Sequence, residues 1–533
     1  MGGWVGPTSP KTVEELQKMS VEEIAQFLKT WTPPDDLFAP SPEGLGRAIS
    51  SVVCQNPETF AQEASYFIGL DPTYVRSVLV GLRDAIKLNH YFTWSPALEL
   101  CRWVMEQPRE IPGRPKRSNI DMDPDWGWTR KSIADLLSEG FKEGPGGIPI
   151  DARSTVWEIM RLLTDDPDPT PEDETRYGGS AMDTVNLSIN TTRGEAMHAV
   201  IRYALWVHRY LKSLPDAGEH INRGFDEMQE VKDVLNLHLD VIREPSLAIR
   251  SVYGQWFPWL VLIDPNWAAA NSVKIFPLDE PQKDFFDAAW SAYIIYCNPY
   301  DNVFEVLREH YACAIDCLPS ENKERSLSDP DTQLAEHLMT FYWRGKLNCE
   351  ETKGLLEQFW VKGGPKVRGH ALNFIGRSLK DLQKLVPPEF LECLKILWGK
   401  RLQAAKMSIT PDSHRYEMAA FGWWFASGKF EDRWTMEQLL ESLRIAGKTE
   451  SEDDVLEKLE GVVQSMPKEA VECLELMVRG DKEGWRIYGW QEHIKPILSK
   501  ALQTVAASTA EDLIHYLGSR GYLDFGDLLK GKK

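Results

Sequence analysis

The residues of this 533-residue chain that best fit a metal site lie in one apolar segment. His310, Cys313 and Cys317 are spaced by three and four residues, so on a helix their side chains would share one face. Nitrogen and sulfur ligands of this kind can hold zinc, with His370 or Cys349 as a distant fourth ligand. Structural zinc sites, however, usually use closely spaced cysteine pairs in turns, whereas here cysteine suits an apolar helix face as a small hydrophobe. We therefore interpret these residues as core residues and predict no metal site.

Phosphate-binding and nucleophilic motifs are missing from the sequence. It has no G-x-x-x-x-G-K-[ST] loop, and the glycine-rich stretch from Gly144 to Gly147 lacks the lysine that such a loop needs. It has no G-x-S-x-G turn, and none of the eleven histidines lies in a catalytic signature. Carboxylates are so numerous that no acid–base pair stands out. We predict no catalytic residue and no cofactor, and keep a helical enzyme with dispersed carboxylates as an alternative.

The most distinctive polar segment runs from Asn186 to Ala196. Asn190 or Thr191 can cap the helix that follows, because either side chain can accept a hydrogen bond from a first-turn amide. Gly194 lets a neighbouring backbone approach closely, since it has no Cβ. Arg193 can fork onto carbonyls or a carboxylate across the turn. We interpret Asn190, Arg193 and Gly194 as a polar buckle between helical repeats and not as a reaction site.

The elements that position these residues are predicted to be short helices joined by tight turns. Val156, Ile159, Met160 and Leu163 follow the helical spacing i, i+3, i+4 and i+7, and no stretch shows sustained period-two alternation. Capping-box and cap-proline signals mark many helix starts. These signals are Thr12 with Glu15, Ser20 with Glu23, Ser41-Pro42, Asn56-Pro57, Asp71-Pro72 and Ser95-Pro96.

The length of the chain exceeds what one hydrophobic core usually supports. No strict repeat period is present, which excludes regular ankyrin or tetratricopeptide arrays, but irregular helix pairs tolerate such divergence. We predict an all-α fold, an irregular HEAT/TPR-like α-solenoid of paired short helices, with an irregular helical globule as the alternative. The predicted divisions are N-terminal repeats at 1–165, an acidic proline-rich solvated loop at 166–180, central repeats at 181–320 and C-terminal repeats at 321–533, together one continuous solenoid.

Charge and cysteine usage narrow the expected partners and compartment. The formal net charge is −20, with 80 acidic against 60 basic residues, so we expect no nucleic-acid partner. No window is apolar enough to cross a bilayer, and the first residues lack a secretory signal, so we expect a cytoplasmic protein with no membrane partner. Cys101, Cys393 and Cys473 lie in apolar helical patterns and are expected to be reduced core thiols.

Tryptophan is abundant, with 20 residues in the chain. The densest clusters are Trp256-Phe257-Pro258-Trp259 and Trp423-Trp424-Phe425. Such residues can anchor a partner or a glycan, but both clusters lie inside continuous apolar runs. We therefore favour packing between adjacent helices for both clusters.

The segment around Asn190, with Thr191, Arg193, Gly194 and Ala196, also resembles a known element. It is similar to the N-T-x-R-G-x-A motif in the helical carboxy-terminal region of large bacterial STAND-type NTPases, notably the antiviral AVAST group. The similarity extends nearly end to end, through Gly2 to Met19, Trp94, Arg250 to Gly254, Ala420 to Gly428 and His515 to Gly521.

The resemblance implies that this chain corresponds to the helical region that senses a viral protein. The NTPase and effector modules that the large STAND-type proteins also carry are not expected in this chain. We therefore expect a non-enzymatic protein-binding module, the target-sensing part of a bacterial antiviral defence system. Its expected partners are a protein ligand such as a phage protein, and a separate NTPase or effector. A general helical scaffold or assembly subunit is the alternative.

Overall fold

A computed structural model describes residues 7–34, 39–114, 122–177, 184–319 and 329–530. Within these residues the chain consists of α-helices and short 3-10 helices, without a β-strand. The predicted all-α fold is therefore confirmed. The chain divides into two compact units, Met1–Val306 and Leu307–Lys533.

The first unit contains sixteen described α-helices, with four short 3-10 helices between them. The α-helices are α1 Val13–Leu16, α2 Val21–Thr30, α3 Pro42–Gln55, α4 Pro57–Gln62, α5 Pro72–Lys87, α6 Trp94–Glu106, α7 Gly127–Gly140, α8 Arg153–Thr164, α9 Pro171–Tyr177, α10 Thr184–Asn190, α11 Thr192–Lys212, α12 Ala217–Arg223, α13 Gln229–Leu239, α14 Leu247–Ile263, α15 Pro265–Ile275 and α16 Lys283–Tyr296. The 3-10 helices are Ala64–Phe67, Ile150–Ala152, Gly224–Glu227 and Glu280–Gln282.

The boundary between the units falls within α17, Asp301–Asp316. The described α-helices of the second unit are α18 Pro330–Trp343, α19 Leu355–Lys362, α20 Pro365–Asp381, α21 Pro388–Met407, α22 Arg415–Ala419, α23 Phe421–Ala426, α24 Asp432–Ala446, α25 Glu452–Val462, α26 Pro467–Gly480, α27 Trp485–Ala501, α28 Ala507–Ser519 and α29 Asp527–Lys530. The 3-10 helices Pro411–His414 and Leu523–Gly526 lie between them.

Helix starts follow the local cap chemistry of the sequence. Both predicted capping boxes form: the Glu15 amide donates to Thr12 Oγ1 at 3.2 Å, and the Thr12 amide donates back to Glu15 Oε2 at 2.8 Å, with the same pattern at Ser20 and Glu23. The predicted start at Ser95 is wrong by two residues. α6 begins at Trp94 after Thr93, because Pro96 fits inside the first turn, where its missing amide hydrogen is not needed.

Helices of the first unit pack in chain order. One row is formed by α3, α5, α7, α11, α14 and α16, each packed against the next, and α4, α6 and α8 form a second row. α14 and α16 approach closely at Gly254, where a Cβ would overlap the carbonyl oxygen of Ala289. Packing of successive helices in this way is typical of α-solenoid repeats. A single continuous solenoid over the whole chain stays a prediction.

The second unit repeats this order of packing. One row runs from α18 through α20, α22, α24 and α26 to α28, and a second runs from α23 through α25 to α27. The Trp398 and Trp424 side chains are fully buried, with ring centroids 5.5 Å apart. Trp424 also donates a hydrogen bond from Nε1 to the Leu372 carbonyl at 2.9 Å. Packing therefore accounts for Trp424 of the second aromatic cluster.

The predicted solvated loop at 166–180 requires a correction. Residues 171–177 form helix α9, and residues 178–180 lie outside the described part of the chain. Asp166 is buried, and it accepts hydrogen bonds from Arg109 and Arg130, each at 3.2 Å. Glu174 accepts hydrogen bonds from the Leu247 and Ala248 amides at the start of α14. The acidic side chains of this segment therefore satisfy donors of other elements and do not only face water.

None of the helices in the described ranges combines the length and the apolar character that crossing a bilayer requires.

Candidate functional site

Arg193, in the first turn of α11, joins three separate segments of the first unit. Its Nη1 group donates to the Asp166 carbonyl at 2.6 Å, and its Nη2 group donates to the Pro169 carbonyl at 2.9 Å. Its Nε lies 2.9 Å from Glu244 Oε2, in the turn between α13 and α14. Only 14% of the Arg193 side chain is exposed. The guanidinium therefore forks onto two carbonyls and one carboxylate, the contacts that its planar shape favours.

The amides at the start of α11 are capped by a residue that sequence reasoning missed. Asp168 Oδ2 accepts a hydrogen bond from the Thr192 amide at 2.8 Å, and the Asp168 carbonyl accepts one from the Arg193 amide at 2.7 Å. Thr191 occupies the N-cap position, but its hydroxyl donates to the Leu187 carbonyl instead. Burial raises the pKa of Asp168 despite the hydrogen bond from Thr192. The expectation that Asn190 or Thr191 caps α11 through its side chain is wrong.

Gly194 and Asn190 have different surroundings. A Cβ at Gly194 would overlap the carbonyl oxygen of Ser188, so only glycine allows α10 to end this close to α11. Asn190 is exposed, and its amide donates to the Asn186 carbonyl at 2.7 Å within α10. Only Arg193 makes long-range polar contacts among these three residues. The buckle role itself stays a prediction.

Glu244 extends the network away from Arg193. It lies 2.9 Å from His238 Nδ1, and its Oε1 accepts the Ser246 amide at 3.3 Å. Burial alone would raise the pKa of Glu244, but the hydrogen bond from His238 and the charge of Arg193 outweigh it and lower that pKa. An ionised, paired glutamate of this kind fixes the turn between two helices and is a poor proton donor. The network is suited to holding segments together.

Three other buried carboxylates are similarly engaged. Asp123 pairs with Arg76 at 2.7 Å, and Glu195 pairs with Arg202 at 2.9 Å. Burial is the main reason why the pKa of each of these two carboxyl groups is raised. Glu417, in the second unit, is paired with two arginines. A general acid or base needs a carboxyl group that can reach a substrate, whereas these groups are committed to cations.

The candidate zinc ligands do not form a metal site in the described part of the chain. No group of three or more His, Cys, Asp or Glu side chains there could hold a metal ion. His310 is buried, but Cys317 is exposed, so its interpretation as a core residue is wrong. Cys393 is also exposed, whereas Cys101 and Cys473 are buried as expected. The helical pattern identified the apolar segments, but not which cysteines lie at their edges.

Charged and aromatic side chains that are exposed or partly exposed lie on four helices of the row in the first unit. These residues, called the strip below, follow helical spacing on α5, α7 and α14, and α11 contributes one of them. They are Arg76, Arg83, Trp128, Lys131, Asp135, Arg202, Trp256 and Trp259.

Side-chain contacts join the strip residues of α5 to those of α7, and the strip residue of α11 to α14. Between α5 and α7, the Arg76 guanidinium lies 5.7 Å from the centroid of the Trp128 ring, and Arg83 lies 3.6 Å from Asp135. Between α11 and α14, the Arg202 guanidinium lies 5.4 Å from the centroid of the Trp256 ring. These cation–π and ionic contacts hold the side chains in defined positions on an accessible surface.

Trp256 and Trp259 close one end of the strip on α14. Trp256 Nε1 donates to His198 Nδ1 at 2.7 Å, and His198 Nε2 lies 2.9 Å from the Ser188 hydroxyl. Burial and the nearby positive charges of Arg202 and Lys131 lower the pKa of His198 to about 3, so the imidazole is a neutral support for Trp256. Trp259 is 43% exposed, whereas Phe257 between them is fully buried. The preference for packing is therefore right for Phe257 and wrong for Trp259.

Comparison with known proteins gives no match to a family model and no match to a curated protein.

Proposed function

We propose that the chain is a non-enzymatic protein-binding module whose first unit holds a protein partner on the strip. The observation that carries the proposal is the exposure of two tryptophan side chains, on α7 and α14, beside partly buried arginines that ion pairs and cation–π contacts hold in place. Trp128 is 47% exposed and Trp259 is 43% exposed. Tryptophan and arginine are the residue types that most often dominate binding energy at protein interfaces.

The charges of the strip favour a protein over a nucleic acid. Arg76 is paired with Asp123 and Glu43, Arg83 with Asp84 and Asp135, and Arg202 with Glu195. Nucleic-acid binding depends on cations that can neutralise phosphates. Cations already paired on a chain of net charge −20 supply little of that attraction.

The resemblance to STAND-type antiviral NTPases supplies the biological setting of the proposal. In that setting the chain is the target-sensing part of a bacterial defence system, and its ligand is a phage protein. A separate NTPase or effector would act after the ligand is bound. The alternative, a general scaffold or assembly subunit, differs in having a cellular partner that is present without infection.

The test is affinity capture from phage-infected and uninfected bacteria, followed by mass spectrometry and quantified binding of the recovered protein. Trp259→Ala and Trp128→Ala are expected to weaken binding by about 2 kcal/mol each, the usual effect at an interface hot spot. Trp485→Ala is the matched control, because Trp485 is an exposed tryptophan of the second unit. Recovery of the same partner without infection would favour the scaffold, while recovery of nucleic acid alone or turnover of a substrate would refute the proposal.

A further inference from the structure

A cluster of charged side chains is buried in the second unit. Glu417 of α22 is fully buried, and it accepts hydrogen bonds from Arg368 Nε and Arg401 Nε, each at 2.7 Å. His414 Nδ1 lies 2.9 Å from the same carboxylate. Two guanidinium groups share one carboxylate, so the three groups together carry one positive charge in excess. Burying a charge without a counter-charge is costly.

The two arginines differ in how their remaining donors are satisfied. Arg368 donates from Nη1 to the Gly363 carbonyl and from Nη2 to the Ser413 carbonyl, both at 2.9 Å. Arg401 donates only through Nε; its Nη groups have no hydrogen bond to any residue that the structure describes. The Arg401 side chain is 10% exposed, and its guanidinium lies 4.6 Å from the centroid of the Trp360 ring. The excess charge is therefore directed to the outer edge of Arg401.

Arg401 also lines a cleft of about 360 Å³. Lys400, whose ammonium donates to the Cys349 carbonyl at 2.8 Å, lines the same cleft. Three exposed glutamates also line it: Glu350, Glu351 and Glu357. The cleft therefore combines cationic groups at Lys400 and the buried Arg401 with exposed acidic groups.

An adjoining cleft of about 290 Å³ shares Cys349 and Glu350 with the first. Its other walls are largely apolar, and they include Trp343, Leu347, Phe390 and Ile396. The second cleft therefore offers an apolar site next to the charged one. The two clefts together offer separate places for a charged end and an apolar side chain.

We propose that these clefts bind the α-carboxylate and apolar side chain of an amino acid or of a peptide carboxy terminus. The two free Nη groups of Arg401 match the two oxygens of a carboxylate, and stacking on Trp360 fixes their plane. The glutamates disfavour a polyanion and accept N–H donors beside the carboxylate. This site is independent of the strip in the first unit, so either proposal can fail without the other.

Isothermal titration calorimetry of the full chain tests the ligand class. The ligands are leucine and Gly-Gly-Gly-Leu, each compared with its carboxy-terminal amide, together with inorganic phosphate. We expect at least one free acid to bind about tenfold or more tighter than its amide, since the amide loses the charge-assisted fork. Which acid binds tells a free amino acid from a peptide terminus. Equal binding of acids and amides, no binding, or tighter binding of phosphate would overturn the proposal.

Variants test the location. Val361 lines the cleft and is 73% exposed, so Val361→Glu places a negative charge there without disturbing the core. It is expected to weaken binding of the acid about tenfold or more, whereas Val361→Gln should bind like wild type. Arg401→Lys, which keeps the charge and loses the fork, should also weaken binding, and Lys406→Ala on the same helix should not. Wild-type affinity in Val361→Glu would overturn the proposal, even if Arg401→Lys does not fold.

Discussion

Arg193→Ala removes the side chain that joins α11 to the 166–169 segment and to Glu244. Two carbonyls lose donors, at Asp166 and Pro169, and a buried carboxylate loses its guanidinium. Breaking a buried ion pair costs roughly 3–5 kcal/mol. Glu244 keeps its contacts with His238 and the Ser246 amide, so the loss falls at the lower end of that range. We expect the first unit to lose about 3 kcal/mol of unfolding free energy at neutral pH.

The assay is urea unfolding, monitored by hydrogen-exchange mass spectrometry on peptides from α11. These peptides report on the first unit alone, because the two units need not unfold in one transition. Arg193→Lys keeps the charge without the fork and is expected to lose an intermediate amount. Arg243→Ala is the matched control, since Arg243 is exposed and lies 3.9 Å from Asp240. Its loss should be within about 0.5 kcal/mol. If Arg193→Ala costs no more than Arg243→Ala, Arg193 does not hold these segments together, and the reasoning is refuted.

Four further predictions concern titratable groups and metal content. Burial would raise the pKa of Glu417, but a neighbouring imidazole and two guanidinium groups hold that pKa at about 2. The ionised Glu417 therefore stabilises the folded chain fully above pH 4.5, and this stabilisation is lost as the pH falls through 2. Glu417→Gln should therefore cost about 3 kcal/mol at pH 7 and progressively less below pH 4.5, and a constant cost in urea unfolding would contradict this. His198, with a pKa of about 3 in the folded chain, should remain neutral at pH 5, and an imidazolium signal in the ¹⁵N NMR spectrum at pH 5 would refute this. The free energy of unfolding should also fall as the pH drops from 6.5 towards 3, because the imidazole of the unfolded chain binds a proton first. Exposed Cys317 should react with a thiol reagent in the folded protein, whereas Cys101, whose pKa burial raises to about 12, should react only after unfolding. Elemental analysis of the purified protein should find no stoichiometric zinc. Bound zinc that is lost on Cys317→Ala would contradict this.

The site residues illustrate what a single sequence can locate. Arg193 and Gly194 stand out because their types are unusual at the start of a helix and imply a fork and a close approach. Asp168 and Glu244, which complete the same network, carry no local signal, since they lie 25 and 51 residues from Arg193 along the chain. The acidic, proline-rich composition around Asp168 even suggested a solvated loop. The hydrogen-bond partners of Asp168, the Thr192 and Arg193 amides, come close to it only when the helices pack together.

The sequence by itself determined the helical fold and five of the six helix starts that its cap signals predicted. Capping boxes, cap prolines and apolar spacing act within about four residues along the chain, so their energies are set before any tertiary packing. Thr12 with Glu15 and Ser20 with Glu23 formed as their spacing predicts.

Only the tertiary structure decided which polar and aromatic side chains meet or remain exposed. Phe257 is buried and Trp259 is exposed, although both belong to one apolar run on α14. Arg401 shares the carboxylate of Glu417 with Arg368, which lies 33 residues earlier on a different helix. Burial and pairing of this kind depend on which helix faces cover one another, and many distant partners are compatible with the same local pattern. The binding surfaces therefore became visible only in the folded chain.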